Sequence, residues 1–389
     1  MKVYFDPQIF LTQRVGGVSR YFYNLKRALL DNGLCQVDNW SFVYRNSYIG
    51  SGNGAVYIKP LKFKKLDELI GTSTGLRYLG MLNEAVALQR FRSKDCDIIH
   101  VTEDNANYIT NSRLKKPVVA TVHDLIPELF PSHFPAIGRW LKQRENIFKK
   151  ADHLICISES TKKDLKNIYA IPDDKISMVY HGPADYMQKR QEFVFFKDDE
   201  ATRQKYVLYI GDRKTPYKNF MRMVEHLAPV LKENDELKLL CVGAPFRSEE
   251  KIAIEKFGLT NLVDAVQAHD DELFSIYEQA ECLILPSLYE GFGFPLLEAM
   301  KAGCLILSSN TSSLPEVGGA GALYFDPVSF EGFAENIKRL LTDKKLQSQQ
   351  RINQGNCLKK FSWTHTARQT FHAYQTLAPY NSLILDTGH

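Results

Sequence analysis

The sequence predicts an α/β protein with two Rossmann-like domains, each a parallel β-sheet covered by helices. Short runs of β-branched and apolar residues alternate with helical patterns, as in successive β–α–β units. The chain has 389 residues, which exceeds the usual size of a single hydrophobic core. The predicted strands also fall into two sets of similar size, separated near residue 182. Together these observations favour two domains.

Each set consists of apolar runs of strand length. The first set comprises residues 2–5, 97–101, 118–122, 153–157 and 176–180. The second set comprises residues 206–210, 238–242, 262–265, 282–285 and 304–307. Because the runs alternate with helical patterns, we expect the strands of each set to form a parallel sheet.

The boundary between the domains is predicted near residues 182–204. Gly182 and Pro183 end the first set of strands, and the charged stretch that follows has no clear period, which is typical of a linker. We therefore predict an N-terminal domain over residues 1–184 and a second domain over residues 185–360. Residues 361–389 begin with an amphipathic helical pattern.

The composition is that of an ordinary globular enzyme. Apolar residues make up 44% of the chain and charged residues 24%, and no apolar run is long enough to suggest a membrane span. The 7 cysteines are scattered without a Cys-x-x-Cys pair, which favours reduced thiols over disulfides or zinc sites. No basic stripe is interleaved with aromatic residues, so nucleic-acid binding is not expected. A predicted strand stands where a signal peptide would begin, so we expect a cytoplasmic protein.

Residues 59–92 suggest contact with a membrane surface. Lysines alternate with apolar residues between positions 59 and 66, and apolar residues then recur at helical spacing from Leu76 to Val86. A basic and apolar face of this kind suits a membrane or a lipid-linked substrate, and would make the protein peripheral on the inner face of the cytoplasmic membrane. The alternative is a surface loop followed by an ordinary packed helix.

The most informative stretch, residues 287–300, follows a predicted strand. It places Glu290 and Glu298 eight positions apart around a Gly-Phe-Gly-Phe-Pro run. Pro295 suits the first position of a helix and disfavours helical geometry in the residue before it. We therefore expect Glu290 on the loop and Glu298 within about the first turn of the helix.

This loop predicts a site for a nucleotide sugar. Glycines let backbone N–H groups approach a ligand closely, and the start of a helix adds a positive dipole end, so the loop suits a phosphate. The two carboxylates suit the hydroxyl groups of sugars. The alternative is a strand, loop and helix whose glutamates are merely solvated.

Together with Pro-Glu-Val-Gly-Gly at 315–319, this motif resembles the donor site of the retaining glycosyltransferases of family 4, which have the GT-B fold. The resemblance extends over nearly the whole chain. It implies two Rossmann-like domains that face each other across a cleft, and a C-terminal helix that returns to the first domain. It also implies that Glu298 holds the ribose hydroxyls and that Glu290 acts on the donor sugar. The backbone groups implied to bind the donor are those of Gly291, Phe292, Gly293, Phe294 and Leu296.

A second motif follows the first strand of the second domain, at residues 211–219. Arg213 and Lys218 suit a diphosphate, because arginine can contact two oxygens and lysine supplies a point charge. Both match the family's Arg…Lys-Asn element, and would stabilise the leaving nucleoside diphosphate as negative charge develops. With these cations and a helix start available, we predict that no metal and no cofactor is required. In isolation the stretch is typical of a solvated basic loop.

Two motifs of the first domain also match the family. Gly16 and Gly17 precede a helix, where backbone amides can bind phosphate, and the family's matching loop lies against the donor diphosphate. His123 ends a buried strand at the sheet edge that faces the ligand crevice, and resembles the family histidine beside the reacting sugar. Asp124 is expected either to orient His123 or to cap the next helix.

Ser158 and Thr161 are expected to begin a helix after a strand. They match a Ser-x-x-Thr element near the interdomain cleft of the family. The resemblance therefore implies a secondary contact on the donor side.

The resemblance implies transfer of a sugar with retention of its anomeric configuration. The runs Gly-Gly-Val-Ser-Arg-Tyr and Val-His-Asp-Leu-Ile-Pro-Glu are similar to those of bacterial O-antigen and capsule mannosyltransferases. This favours GDP-mannose or another GDP-hexose over a UDP-sugar as donor, and a lipid-linked saccharide as acceptor. The alternatives are a UDP-sugar-dependent transferase, a sugar-phosphate synthase or epimerase of the same fold, and a non-catalytic sugar-nucleotide-binding protein.

Overall fold

The computed structural model describes residues 1–13, 16–39, 44, 46, 48–49, 73–92, 96–104, 107–110, 114–134, 137–184 and 204–377. The strands of its first sheet are β1 (Lys2–Phe5), β2 (Gln36–Asp38), β3 (Ile98–Thr102), β4 (Val118–Val122), β5 (His153–Cys156) and β6 (Ile176–Met178). The strands of its second sheet are β7 (Lys205–Ile210), β8 (Leu237–Val242), β9 (Val263–Val266), β10 (Cys282–Leu285), β11 (Leu305–Ser309) and β12 (Leu323–Phe325).

Helices connect the strands in both halves of the chain. Those of the first half are α1 (Gln8–Thr12), α2 (Gly17–Asp31), α3 (Ser73–Phe91), α4 (Asn107–Thr110), α5 (Ile126–Leu129), α6 (Gly138–Lys150) and α7 (Glu159–Tyr169). Those of the second half are α8 (Phe220–Lys232), α9 (Ser248–Lys256), α10 (Leu273–Gln279), α11 (Phe294–Ala302), α12 (Leu314–Gly318), α13 (Phe333–Thr342), α14 (Lys344–Leu358) and α15 (Trp363–Leu377). Short 3₁₀ turns lie at Pro131–His133, Asp173–Lys175, Pro216–Lys218 and Gly319–Gly321.

Both sheets are parallel and doubly wound, which confirms the predicted α/β class. The first has the order β2-β1-β3-β4-β5-β6 and the second the order β12-β11-β10-β7-β8-β9. The central strands are covered on both faces. Every residue of β10 is buried, and the strand lies between β11 and β7. This explains why it appears in the sequence as a continuous apolar run.

The C-terminal helix α15 returns to the first domain, as predicted. Its Tyr374 is fully buried, with the hydroxyl 2.5 Å from Nδ1 of His100 on β3. At the start of the helix, the indole N–H of Trp363 donates to the carbonyl of Pro183 at 2.9 Å. Most of the predicted linker lies outside the described residues, so the exact domain boundary stays a prediction.

Only the second part of the predicted membrane-facing segment is described, because residues 59–72 lie outside the described part of the chain. Helix α3 buries Leu79, Ala87 and Phe91 against the first domain. Its opposite side leaves Tyr78 and Met81 exposed, at 65% and 55%. One face of the helix is therefore packed against the rest of the domain, and the other face exposes apolar side chains.

A buried carboxyl at the end of β1 is expected to make stability depend on pH. Burial raises the pKa of Asp6 to about 7, although the hydroxyl of Tyr108 donates to its Oδ1 at 2.6 Å. Because the folded protein holds this proton more tightly than the unfolded chain, wild-type stability falls as pH rises from about 4 to 7. Asp6→Asn should remove this loss. The free energy of unfolding of the variant, relative to that of wild type, should therefore rise by up to about 4 kcal/mol across that range. Urea unfolding at pH 4 and pH 8 measures it, and a constant difference would refute the assignment.

Candidate active site

The strand order of the second sheet brings together the two motifs that are predicted to bind the donor. The order reverses between β7 and β10, and the carboxyl ends of strands at such a reversal open a crevice where ligands bind. The loop after β7 carries Arg213 and Lys218, and the loop after β10 carries Glu290. Motifs separated by 72 residues in the chain therefore meet at one edge of the sheet.

Glu290 and Lys218 form a close ion pair at this edge. The lysine Nζ lies 2.7 and 2.8 Å from the two carboxylate oxygens, and the hydroxyl of Ser287 donates to Oε1 at 2.6 Å. The backbone N–H of Glu290 donates to Oγ of Ser312 at 2.9 Å. Glu290 is 8% exposed, so the position of its carboxylate is fixed by these neighbours rather than by water.

The glycines of the loop are required by close contacts. Gly293 caps α11 in the left-handed region, with φ of +96°, where a side chain would be strained. A Cβ at Gly291 would lie 2.0 Å from the carbonyl oxygen of His123 in the other domain. The backbones of the two domains therefore meet at Gly291, beside the Glu290 carboxylate.

Helix α11 begins one residue earlier than predicted, at Phe294 rather than Pro295, because Gly293 supplies the cap. The backbone N–H of Leu296 donates to the carbonyl of Gly293 at 2.9 Å, and proline has no N–H. In this conformation the Leu296 amide is therefore paired within the turn, and its contact with phosphate stays a prediction. The contact of the Phe294 amide with phosphate likewise stays a prediction.

Glu298 is the fifth residue of α11 and is buried, at 5% exposure. The hydroxyl of Tyr277 donates to its Oε2 at 2.8 Å. From the first domain, Nη1 of Arg20 lies 3.7 Å from Oε1, and the same guanidinium lies 3.3 Å from Asp270. Arg20 thus spans the cleft to the carboxylate predicted to hold ribose.

Arg213 has different neighbours from Lys218. Its Nε lies 3.2 Å from Oε1 of Glu250, its Nη2 donates to the carbonyl of Ala244, and its guanidinium stacks 4.8 Å from the ring centre of Phe246. The side chain forms one wall of a cavity of about 180 Å³ together with Lys214. Arg213 therefore lies on the same loop as Lys218, but its side chain is held by Glu250, Ala244 and Phe246.

His123 is oriented by a carboxylate that sequence analysis missed. Oε2 of Glu103 lies 2.8 Å from Nδ1 of His123, and its Oε1 accepts the His123 backbone N–H at 3.2 Å. Burial raises the pKa of Glu103, but its contacts with His123 and the charge of Arg144 outweigh burial, so the pKa is lowered. Glu103 follows β3, at the reversal of strand order in the first sheet, and that position was the available signal.

Asp124 contacts the start of the next helix through its carboxylate. Its Oδ1 accepts the backbone N–H of Ile126 at 3.1 Å, at the start of α5. Burial raises the pKa of Asp124 to about 6, and the charge of Arg144 opposes that rise. The guanidinium of Arg144 also donates to the Asp124 carbonyl at 2.6 Å, which fixes the turn that follows His123.

The glycine-rich loop of the first domain faces the start of α11. A Cβ at Gly17 would lie 3.8 Å from the ring of Phe294, whereas a Cβ at Gly16 would meet the side chain of Gln13. The ring of His181 stacks on that of Phe294, with centres 4.9 Å apart. Burial lowers the pKa of His181, and its ring belongs to the interdomain packing.

Ser158 and Thr161 contact the backbone of the loop that contains Gly291. The Ser158 hydroxyl caps α7 and donates to the carbonyl of Gly291 at 2.8 Å. The Thr161 hydroxyl lies 3.4 Å from the same carbonyl. These residues therefore hold the Gly291 loop against the first domain.

Comparison with known proteins agrees with this geometry. The family model "Glycosyltransferase Family 4" matches residues 15–183, and the model "Glycosyl transferases group 1" matches residues 190–356. The chain belongs to the family 4 glycosyltransferases. The two models lie side by side on the two domains, and the predicted GT-B fold is confirmed.

Three similar proteins illustrate the relationship. The serotype-specific mannosyltransferase WbdA of Escherichia coli is 27% identical over 274 residues, which cover 67% of this chain but only 33% of WbdA. The O-antigen chain mannosyltransferase B of Escherichia coli is 25% identical, over 70% of this chain and 73% of its own. The structure of Anabaena Alr3699/HepE in complex with UDP and glucose has a TM-score of 0.70 at 16% identity, and covers 97% of this chain and 100% of that chain.

Metal independence of this glycosyltransferase stays a prediction. In the part of the chain that the structure describes, no group of three metal-ligating side chains is assembled. One Asp-x-Asp run occurs, at 95–97, but Asp97 precedes β3 at the sheet edge opposite the cleft. There it accepts the backbone N–H of Lys2 at 2.8 Å.

No described helix is both long and apolar enough to cross a bilayer.

Proposed function

We propose that this protein transfers a mannosyl residue from GDP-mannose to a hydroxyl of a lipid-linked glycan, with retention of configuration. The observation that carries the proposal is the Glu290–Lys218 pair at the strand-order reversal, beside a glycine loop and Glu298. A cation, a carboxylate and backbone amides at one point suit a ligand that combines phosphate with sugar hydroxyls.

The choice of donor rests on the relatives. Two of them are named as mannosyltransferases, and one of these acts on the O-antigen chain. The HepE structure contains UDP and glucose, so a UDP-sugar remains the second candidate donor. The alternative of another class is a non-catalytic nucleotide-binding protein. The presence of Glu290, Lys218 and His123 in the chain argues against it.

In the proposed mechanism, Glu298 holds the ribose and Glu290 holds donor-sugar hydroxyls. Lys218, Arg213 and the Phe294 amide stabilise the diphosphate as it leaves, and its oxygen accepts the proton of the acceptor hydroxyl. Glu103 holds Nδ1 of His123, whose Nε2 has no hydrogen-bond partner within the described residues. We propose that this nitrogen, or the His123 carbonyl oxygen, stabilises the positive charge that develops on the sugar. Domain contact at Gly291 excludes water.

The test is thermal stabilisation by GDP, UDP, ADP and their sugar conjugates in the presence of a metal chelator. Selective stabilisation by one base identifies the donor class, because a ligand that binds the folded state raises its stability by mass action. The selected donor is then assayed for sugar transfer, followed by analysis of the anomeric product. Stabilisation by none of the nucleotides would refute the donor site, and binding without transfer to any acceptor would favour the non-catalytic alternative.

We also propose that the exposed apolar face of α3 contacts the membrane that carries the acceptor. Tyr78, Met81 and Leu82 recur at helical spacing and are exposed. Replacing all three by serine is expected to weaken binding to vesicles that contain anionic lipid by about tenfold, as measured by sedimentation with the vesicles. Serine at Ile252 and Val328, which are equally exposed in the second domain, is the control and should leave sedimentation unchanged. Equal binding by both variants would contradict the proposal.

A further inference from the structure

A cavity of about 570 Å³ opens between the two domains beside the donor loop. The first domain contributes the segment after β4 and the first turns of α7, and the second domain contributes the loops after β10 and β11. Its volume lies in the range of small-molecule sites. The side chains that carry the argument are Phe130, Glu159, Lys163, Asp164, Tyr289 and Glu316.

The cavity shares a wall with the proposed donor site. Tyr289 directly precedes Glu290, and Ser312, which also lines the cavity, accepts the Glu290 backbone N–H at 2.9 Å. The loop that positions the donor-sugar carboxylate therefore faces this cavity as well. A ligand bound there lies next to the place of transfer.

The charge of the cavity argues against an anionic ligand. Its lining includes three carboxylates and one lysine, which gives a formal charge of −2. The smaller cavity around Arg213 has three cations and two carboxylates, Arg213, Lys214 and Arg247 against Asp212 and Glu250, a formal charge of +1. Phosphate is attracted to the smaller cavity and repelled by the larger one.

The remaining chemistry suits a neutral sugar. The rings of Phe130 and Tyr289 lie 6.2 Å apart at 65° and offer apolar surface to the C–H face of a pyranose. Oδ2 of Asp164 accepts the Tyr289 hydroxyl at 2.5 Å, which uses one of about four acceptor positions of an ionised carboxylate. Glu316 accepts the backbone N–H of Glu159 at 2.8 Å across the domain boundary. Aromatic surface and hydroxyl acceptors are thus assembled only when the domains are in contact.

We propose that this cavity binds an uncharged hexose unit of the acceptor glycan. The proposal rests on the proposed transferase function, and adds the place and the chemical class of the second substrate. The carboxylates disfavour anionic sugars and phosphorylated acceptors, whereas hydroxyl groups can donate to them.

The test is ligand-observed NMR titration of the full chain with methyl glycosides of neutral hexoses, in the presence of the nucleotide selected by thermal stabilisation. At least one neutral glycoside should bind, and methyl glucuronide should bind more weakly. Phe130→Ala and Asp164→Asn should each raise the glycoside Kd about tenfold or more. Asp174→Asn, at an exposed position beyond α7, is the matched control and should leave it unchanged.

The nucleotide Kd, measured on the same samples, separates the possible failures. An unchanged nucleotide Kd in Phe130→Ala and Asp164→Asn shows that both variants are folded and that the donor site is intact. If neutral glycosides do not bind, or bind these variants as tightly as wild type, the acceptor proposal is overturned and the donor site stands. Failure of wild type to bind any nucleotide would instead overturn the proposed function.

Discussion

Replacing Lys218 with alanine is expected to lower the rate of sugar transfer by about 10²- to 10³-fold, the usual cost of removing one preorganised charge from a transition state. Lys218 contacts both oxygens of Glu290, at 2.7 and 2.8 Å. Its removal leaves a largely buried carboxylate without its cation and leaves the departing diphosphate less stabilised. Glu290→Gln should lose a similar factor, because it keeps the shape of the side chain but removes its charge. Release of nucleoside diphosphate under saturating donor measures both.

The charge-swapped double variant, Lys218→Glu with Glu290→Lys, distinguishes function from folding. If the pair acts only as a structural ion pair, the swap should restore both thermal stability and turnover. If each residue has its own role toward the donor, the swap should restore stability alone, and this is the expected result. Lys205→Ala is the control, because Lys205 forms an exposed pair with Glu236 at 2.9 Å, away from the site. Full turnover in Lys218→Ala would refute the assignment.

Gly291→Ala is expected to lower kcat/KM by about 10²-fold or more, a loss typical of a small misplacement of catalytic groups. The added methyl group would lie 2.0 Å from the His123 carbonyl oxygen, which is backbone and cannot rotate away. The domains must therefore separate at this point, or the loop must move. Either change disturbs the hydrogen bond from Ser158 to the Gly291 carbonyl and the position of Glu290.

The nucleotide Kd of Gly291→Ala should change less than its turnover, because most donor contacts belong to the second domain alone. Gly355→Ala is the matched control. Gly355 lies in α14 with no atom near its would-be Cβ, so alanine there should raise the stability by about 0.5–1 kcal/mol and leave turnover unaffected. Wild-type kinetics in Gly291→Ala would show that the observed domain contact does not belong to the catalytic state.

The ten strands predicted from the sequence are all present, with bounds within two residues of those expected. The prediction missed β2 and β12, which are edge strands of three residues each. An edge strand is paired on one side only and has less apolar surface to bury, so it leaves a weaker pattern in the chain. Strand pairing, rather than local sequence, decides that these segments are extended.

The sequence alone determined the fold class and the glycine–proline turn that begins α11, because both depend on short-range features. Burial of a central strand requires a run of apolar residues, and the turn into α11 requires glycine followed by proline. Tertiary structure alone decided the partners of these residues. Glu103 reaches His123, Ser158 reaches Gly291, and Arg20 reaches Glu298 because the order of strands and the contact of two domains bring distant segments together. Nothing in the local sequence specifies which of many polar residues will meet across that cleft.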